Sequence, residues 1–312
     1  LGAIINSKPV YSSSRPEFTG YIGAFQNAPS YRQFALNNSG RTPTLFVEAN
    51  DGMLHAFNAG KKSNGGGNEE FAYIPASVLP VIHGLTKQSP PKEFYADATP
   101  TVGDAVVNGQ WETLLVAGER AGSNSIFALN VTKPGQFSKS DVLWEDSNAT
   151  SGISELGKTY SKPQIARLNN GDWAAVFGNG YNSPDNQAVL YVVNLNNGKL
   201  IKKFNVSNKS QPSRSGPDGL STPETADING NYKTDYVYAG DLHGNMWRFN
   251  LSSKNSSDWT ATRLYTTSKN KQGNPRPITS APLTGLGPSV PNGNRGIMVY
   301  FGSGKYLERS DI

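Results

Sequence analysis

Residues 221–252 read STPETADINGNYKTDYVYAGDLHGNMWRFNLS, and the order of parts within them decides the fold. A small residue and Pro223 open the stretch, an Asn-Gly turn follows in DINGN, and YVYAG continues as a strand. A second turn, GDLHGN, leads into MWRFNLS, which reads as a further strand.

The same order recurs on either side. Small-residue-plus-Pro lead-ins stand at SKPV (Pro9), ATPTVGD (Pro100), SKPQIARL (Pro163), STPETADI (Pro223) and SAPLTG (Pro282). The last three intervals between these prolines are 63, 60 and 59 residues, and the first is 91. After four of the lead-ins come NGQWETLLVAGE, NGDWAAVFGNG, NGNYKTDYVYAGD and NGNRGIMVYFGSG, each an Asn-Gly turn and a strand. Asn-Gly tolerates the positive φ that a tight hairpin needs. Third strands read MLHAFNA, IFALNVT, LYVVNLNNGK and MWRFNLS. Three or four strands repeating about every 60 residues is the sequence form of a β-propeller. A sandwich would supply strands but not this period.

The long first interval is expected to hold an extra blade or an insertion. Within it, residues 61–69 (KKSNGGGNE) read as a flexible loop. The stretch FAYIPASVLPVIHGLTKQSPPKEF is expected to carry one short helix before a Pro-rich loop.

Composition agrees with an all-β domain. The 312 residues include 33 Gly and 20 Pro, hydrophobic content is 36%, and apolar stripes at helical spacing are hard to find. Net charge is +5, but the densest basic clusters are the pairs Lys61-Lys62 and Lys202-Lys203. Such scatter points to a solvated basic surface and not to nucleic acid. Without cysteine there is no disulfide, thiolate metal site or thiol nucleophile. No apolar run is long enough to span a membrane as a helix. The chain begins at Leu1 without Met and stops after GSGKYLERSDI, so it is expected to be one propeller domain, residues 1–312, cut from a longer protein.

Two motifs in the opening stretch compete for function. In DINGNYKTD, Asp227, Asn229, Asn231 and Asp235 fall at positions 1, 3, 5 and 9, and Lys233 at position 7 can offer its backbone carbonyl. Calcium takes six to eight hard oxygens at about 2.3–2.6 Å, and this alternation in a tight loop supplies them. It is not an EF-hand, because position 6 is Tyr232 and position 12 is Tyr238. The alternative is an Asn-rich hairpin turn without metal. Against it, this turn is longer than a hairpin needs, its added residues are oxygen donors, and without an ion Asp227 and Asp235 would repel.

GDLHGN resembles the opening signature of metallophosphoesterases. Such enzymes need further His and Asn ligands downstream, yet the three histidines are His55, His83 and His243, and nothing follows the last. The motif is therefore expected to be a hairpin turn, with Gly244 and Asn245 in unusual backbone conformations and His243 at the loop tip. No Ser-His-Asp set or phosphate-cradling loop stands out, so no catalytic or cofactor-binding residue is assigned. Trp111, Trp173 and Trp247 fall at similar places in their repeats and are expected to pack between blades.

The succession NSKPV, VEANDGMLHAFNA, ADATPTVGD, TLLVAGERAGSNSIFALNVT, KPQIARLNNGDWAAVFGNGYNS, DINGNYKTDYVYAGDLHGNMWRFNL and FGSGKYL resembles the C-terminal domain of the PilC/PilY family of type IV pilus proteins. The resemblance covers nearly the whole chain. It implies a modified, quinoprotein-like propeller of seven blades with Ca²⁺ held by Asp227, Asn229, Asn231, the Lys233 carbonyl and Asp235. Where family members often carry Asp, this chain has Asn231, which leaves two carboxylates and implies weaker binding. The resemblance also implies a non-enzyme, exported to the bacterial surface, outer membrane or pilus. Its partners would be type IV pilus components and, through the full-length protein, host cells. Roles in pilus extension against retraction, twitching motility, adhesion and virulence would follow. No Arg-Gly-Asp tripeptide occurs for integrin binding.

On this reading bound calcium neutralises the paired Asp residues and fixes the loop, so that one surface shape meets the pilus machinery. An alternative is a quinoprotein-like dehydrogenase, whose propeller also binds calcium and whose repeats DGMLHAFNA resembles. The donors here are packed into one nine-residue turn, which leaves little coordination for a quinone.

Overall fold

The structure, a computed structural model, describes residues 2–14, 31–88, 93–207, 216–289 and 295–307. Its strands form four four-stranded antiparallel sheets and one two-stranded sheet. The first holds β1 (Val10–Ser12), β2 (Thr44–Ala49), β3 (Met53–Asn58) and β4 (Glu69–Tyr73). The second holds β5 (Thr101–Val107), β6 (Gln110–Gly118), β7 (Ser125–Asn130) and β8 (Val142–Ser147). The third is β9 (Gln164–Arg167), β10 (Trp173–Gly178), β11 (Val189–Asn194) and β12 (Leu200–Asn205). The fourth is β13 (Glu224–Ala226), β14 (Tyr236–Gly240), β15 (Asn245–Asn250) and β16 (Thr260–Thr266). β17 (Leu283–Ser289) and β18 (Arg295–Tyr300) make the fifth.

Each lead-in proline is the residue immediately before the first strand of a sheet. Proline suits that place because it has no N–H to give to a ladder. Neighbouring lead-ins are stitched together: the Lys8 amide donates to Thr99 Oγ1 at 2.9 Å and the Lys162 amide to Thr222 Oγ1 at 3.0 Å. The repeat is thus a propeller blade. Among the described residues there are four complete blades and one two-stranded sheet, fewer than the seven that the family resemblance implied.

The long first interval holds no extra blade among the described residues. It contains helix α1 (Tyr31–Asn37) between β1 and β2 and an extended connection between β4 and β5. The short helix expected in that connection is a 3-10 turn, Ile82–Thr86, while Phe71–Tyr73 complete β4. Residues 89–92 of the Pro-rich loop lie outside the described residues. Residues 61–69 form a 3-10 turn, Lys62–Asn64, closed by backbone bonds from Gly66 to Lys61 and Gly67 to Asn58, and Glu69 already belongs to β4.

The Asn-Gly turns differ in form. Asn108 and Gly109, at φ 50° and 74°, make the two-residue hairpin between β5 and β6. At Asn170-Gly171 the turn is longer, and only Gly171 has positive φ, 101°. The copy at residues 292–293 lies outside the described residues.

An apolar layer fills each gap between successive sheets. Phe46 and Leu54 meet Leu115 and Phe127, Leu114 and Val116 meet Phe177 and Tyr191, and Val176 and Leu190 meet Val237 and Phe249. Tyr238 and Met246 meet Ile297 and Val299. A strand buried on both faces reads as a continuous apolar run, as VLYVV in β11 does. Gly118, Gly178 and Gly240 end the second strands of three blades, where a Cβ would stand 2.5 Å from Thr159, 2.4 Å from the Leu220 carbonyl oxygen and 2.2 Å from Ile278. These contacts belong to the next blade's lead-in, so glycine sets how closely blades approach.

Trp247 packs in the layer between the third and fourth sheets, but it lies in a third strand, whereas Trp111 and Trp173 lie in second strands. The latter two meet edge-on, ring centres 5.6 Å apart, beside Tyr31 and Phe34 of α1. On the fifth sheet, Ile297 and Val299 face the fourth, while Leu283, Met298 and Tyr300 are exposed by 67%, 42% and 57%.

Candidate metal centre

The DINGNYKTD segment connects β13 to β14 as residues 227–235. Its ends are pinned by the Asp235 amide on the Ala226 carbonyl and the Leu251 amide on the Asp235 carbonyl. Inside, the chain wraps around Asp227. Its Oδ1 accepts from the amides of Asn229, Gly230 and Asn231 at 3.2, 2.8 and 3.3 Å, and its Oδ2 from Tyr232 at 2.6 Å. Asn229 Oδ1 accepts from the Asn231 amide, and Asn231 Oδ1 from the Lys233 amide. Alternate side chains therefore fold back over their own backbone, as Asx turns do.

Asp235 closes the far side. Its Oδ2 accepts from the Ile228 amide at 3.0 Å and from Asn229 Nδ2 at 3.1 Å, which brings positions 1, 3 and 9 into one cluster. The two carboxylates differ in setting: Asp227 is exposed, whereas Asp235 is 2% exposed. Asn169, from the turn of the third blade, donates Nδ2 to Asp235 Oδ1 at 3.0 Å. The Thr234 amide donates to the Arg167 carbonyl at 2.7 Å, part of a parallel bridge between Leu168 and Thr234. The loop is thus a joint between two blades and not only a surface turn.

Tyr232 takes φ 61°, the left-handed conformation that glycine usually supplies at the sixth position of a calcium loop. For a residue with a Cβ this costs about 1–2 kcal/mol. Its side chain packs against the cluster of Tyr31, Phe34, Trp111 and Trp173, which offsets that cost and links the loop to α1. The donor set fits a hard cation: two carboxylates, two carboxamide oxygens and the Lys233 carbonyl sit on nine consecutive residues.

GDLHGN forms the turn between β14 and β15, as expected. Gly244 has φ 75°, but Asn245 is an ordinary strand residue opening β15. His243 is not at an exposed tip. It is 7% exposed, with Nδ1 3.4 Å from Asp218 Oδ2. Asp241 organises the turn by accepting from the Asn245 amide, Asn245 Nδ2 and Trp247 Nε1 at 2.7–2.8 Å. Burial, then repulsion from Asp241, pushes the Asp218 carboxyl well above the usual carboxylate range. His55 stands apart in the first blade between Asp51 and Glu69, and His83 lies in the 3-10 turn before β5. The three histidines share no site.

Sequence reasoning missed Asn169, the burial of Asp235 and the packing of Tyr232. Each depends on a neighbouring blade, and only the Asn-rich LNNGD of the third repeat hints at the first.

A family model for the PilY1 beta-propeller domain matches residues 1–312. The chain belongs to the PilY1 β-propeller family. A type IV pilus biogenesis factor PilY1 homolog of Xylella fastidiosa is 39% identical over 331 residues, covering 100% of this chain and 22% of the relative. The type IV pilus biogenesis factor PilY1 of Pseudomonas aeruginosa is 36% identical over 334 residues, covering 100% and 27%. The crystal structure of the C-terminal domain of Pseudomonas aeruginosa PilY1 superposes with a TM-score of 0.79 at 34% identity, over 96% of this chain and 60% of that one. The chain therefore spans about a quarter of the curated relatives' length. Among the described residues no helix is long and apolar enough to cross a membrane.

Proposed function

We propose that this PilY1-family propeller is a calcium-responsive part of a type IV pilus biogenesis factor. The observation that carries the reading is the oxygen-rich loop 227–235, built into the contact between the third and fourth blades. Asp227, Asn229, Asn231, the Lys233 carbonyl and Asp235 would hold Ca²⁺, whose charge would offset the two carboxylates. Asp227 holds the loop's first half by its four amides, and Asp235 ties the second half to Asn169. Tyr232 and Thr234 pass the loop's order to α1 and the third blade. Ion binding shifts a partner's affinity only if that partner contacts the ordered loop better than the empty one.

The factor acts as a non-enzyme, exported and held at the outer membrane, cell surface or pilus, with type IV pilus components as partners. It tips extension against retraction, and through the full-length protein it acts in twitching motility and host-cell adhesion, hence virulence. The relatives' names as pilus biogenesis factors support this over a quinone-dependent dehydrogenase.

Calorimetric calcium titration of the chain, with and without Asp227→Ala, tests the site. The variant is expected to lose the binding heat while keeping its β-sheet circular dichroism. In a piliated bacterium, the same change in the full-length protein is expected to alter pilus number, motility or adhesion while the protein still reaches the surface. Calcium affinity unchanged in the variant removes the site. All three outputs unchanged at limiting calcium removes the regulatory role.

A further inference from the structure

Beside the loop lies an open cleft of about 610 Å³, bounded by turns of the second, third and fourth blades. We propose that this cleft binds an acidic saccharide, one whose hydroxyls are accompanied by carboxylate or sulfate groups.

Charge is the first ground. Arg167, Lys233 and Lys254 line the cleft, and Asp172 is the one carboxylate among its lining residues. Asp172 is occupied locally, since Asn170 Nδ2 donates to its Oδ2 at 2.7 Å. Among the described residues neither Lys233 nor Lys254 has a carboxylate at salt-bridge distance. Arg167 adds a third positive charge, half-buried in the cleft wall.

The walls supply the second ground. Asn108 from the second blade and Asn196 and Asn197 from the β11–β12 turn bring carboxamides to the same space. A carboxamide carries donor and acceptor side by side, which matches neighbouring hydroxyls of a sugar ring. Trp173, the cross-strand partner of Arg167, gives one apolar wall. It is the one aromatic residue among the lining residues, which is poor provision for stacking successive bases. The volume falls in the usual range for small-ligand clefts, about 300–1,000 Å³.

Lys233 also offers its carbonyl in the calcium reading, so the test turns on Lys254, which lies outside that loop. Binding of trigalacturonate, a sulfated galactotriose and neutral galactotriose to the whole chain is measured by calorimetry. The parent chain is compared with Lys254→Glu, Lys233→Gln and Lys139→Glu, the last away from the cleft, and calcium titration of each variant runs alongside. An acidic trisaccharide is expected to bind about tenfold tighter than the neutral one, the scale of one charge-assisted hydrogen bond. Lys254→Glu and Lys233→Gln are each expected to weaken it about tenfold, with Lys139→Glu within about twofold. Preference for one acidic probe assigns the anion as carboxylate or sulfate. Equal binding of the neutral sugar, no loss in Lys254→Glu, equal binding of free acetate or sulfate, or tighter binding of a single-stranded oligonucleotide each overturns the proposal. Calcium affinity is expected to hold in Lys254→Glu whichever way the sugar result falls, so the two readings fail separately.

Discussion

Asp227 and Asp235 carry the same charge and the same candidate role, yet removing them should cost different amounts. Asp227 is exposed, and without its carboxylate the four amides can turn to water. Asp235 is 2% exposed and takes the Ile228 amide and the carboxamides of Asn169 and Asn229. Asn169 Nδ2 keeps the Thr234 and Leu251 carbonyls, so the loss is that of hydrogen bonds to a charged group, about 1.5–3 kcal/mol. In calcium-free buffer, urea unfolding should show Asp235→Ala destabilised by roughly 2–3 kcal/mol and Asp227→Ala by about 1 kcal/mol, the scale of a lost cap. Equal losses would mean that Asp235 is not a joint between blades. The sequence made the donors legible, because their spacing is local to nine residues. It could not show which donor is buried, because Asn169 reaches Asp235 from a different repeat. His243 was misplaced at a loop tip for the same reason, since Asp218 covers it from the lead-in of the blade.

At the scale of strands and turns, the period of the prolines carried most of the fold. Pro9, Pro100, Pro163, Pro223 and Pro282 each precede a first strand, and the quoted third strands are β3, β7, β11 and β15. Fourth strands were not legible one by one: LIKKFN in β12 and TATRLYT in β16 mix polar and apolar residues at the sheet edge, without a fixed pattern. Gly240 belongs to the GDLHGN stretch read as a turn, but like Gly118 and Gly178 at the ends of β6 and β10 it has no positive φ and serves the close approach of the next lead-in. Gly178→Ala drives a methyl group to 2.4 Å from the carbonyl oxygens of Leu220 and Ser221, which as backbone cannot swing aside. The expected loss is about 3 kcal/mol, the upper range for overpacking. Gly302→Ala, with nothing within 4 Å, should stay within about 0.5 kcal/mol. Denaturant midpoints of the two variants check the contrast, and a neutral Gly178→Ala would mean that the blades can separate at little cost.

Across the whole molecule, each sheet leans on its neighbours, as in other repeat folds whose stability sums over interfaces. Among the described residues the first interval holds α1 and the connection before β5 without a further sheet, which lengthens it beyond the period. The aromatic side chains of α1 could not be tied to Trp111 and Trp173 from sequence, because the three contributors lie in different repeats. Among the described residues the fifth sheet has one neighbour. Its outer face aligns Leu283 opposite Tyr300, with Met298 two residues along the same strand. Three large apolar side chains on an open two-stranded ribbon are a colloidal liability. Preparations of this stretch should scatter light increasingly with protein concentration, and Met298→Lys should raise the concentration at which scattering begins while leaving the unfolding midpoint within about 0.5 kcal/mol. If scattering is unchanged, the stickiness lies elsewhere on the surface. Where Met298→Lys does raise that concentration, solubility, and with it the ease of growing crystals or collecting spectra, is governed less by the +5 net charge than by one narrow ribbon of two strands.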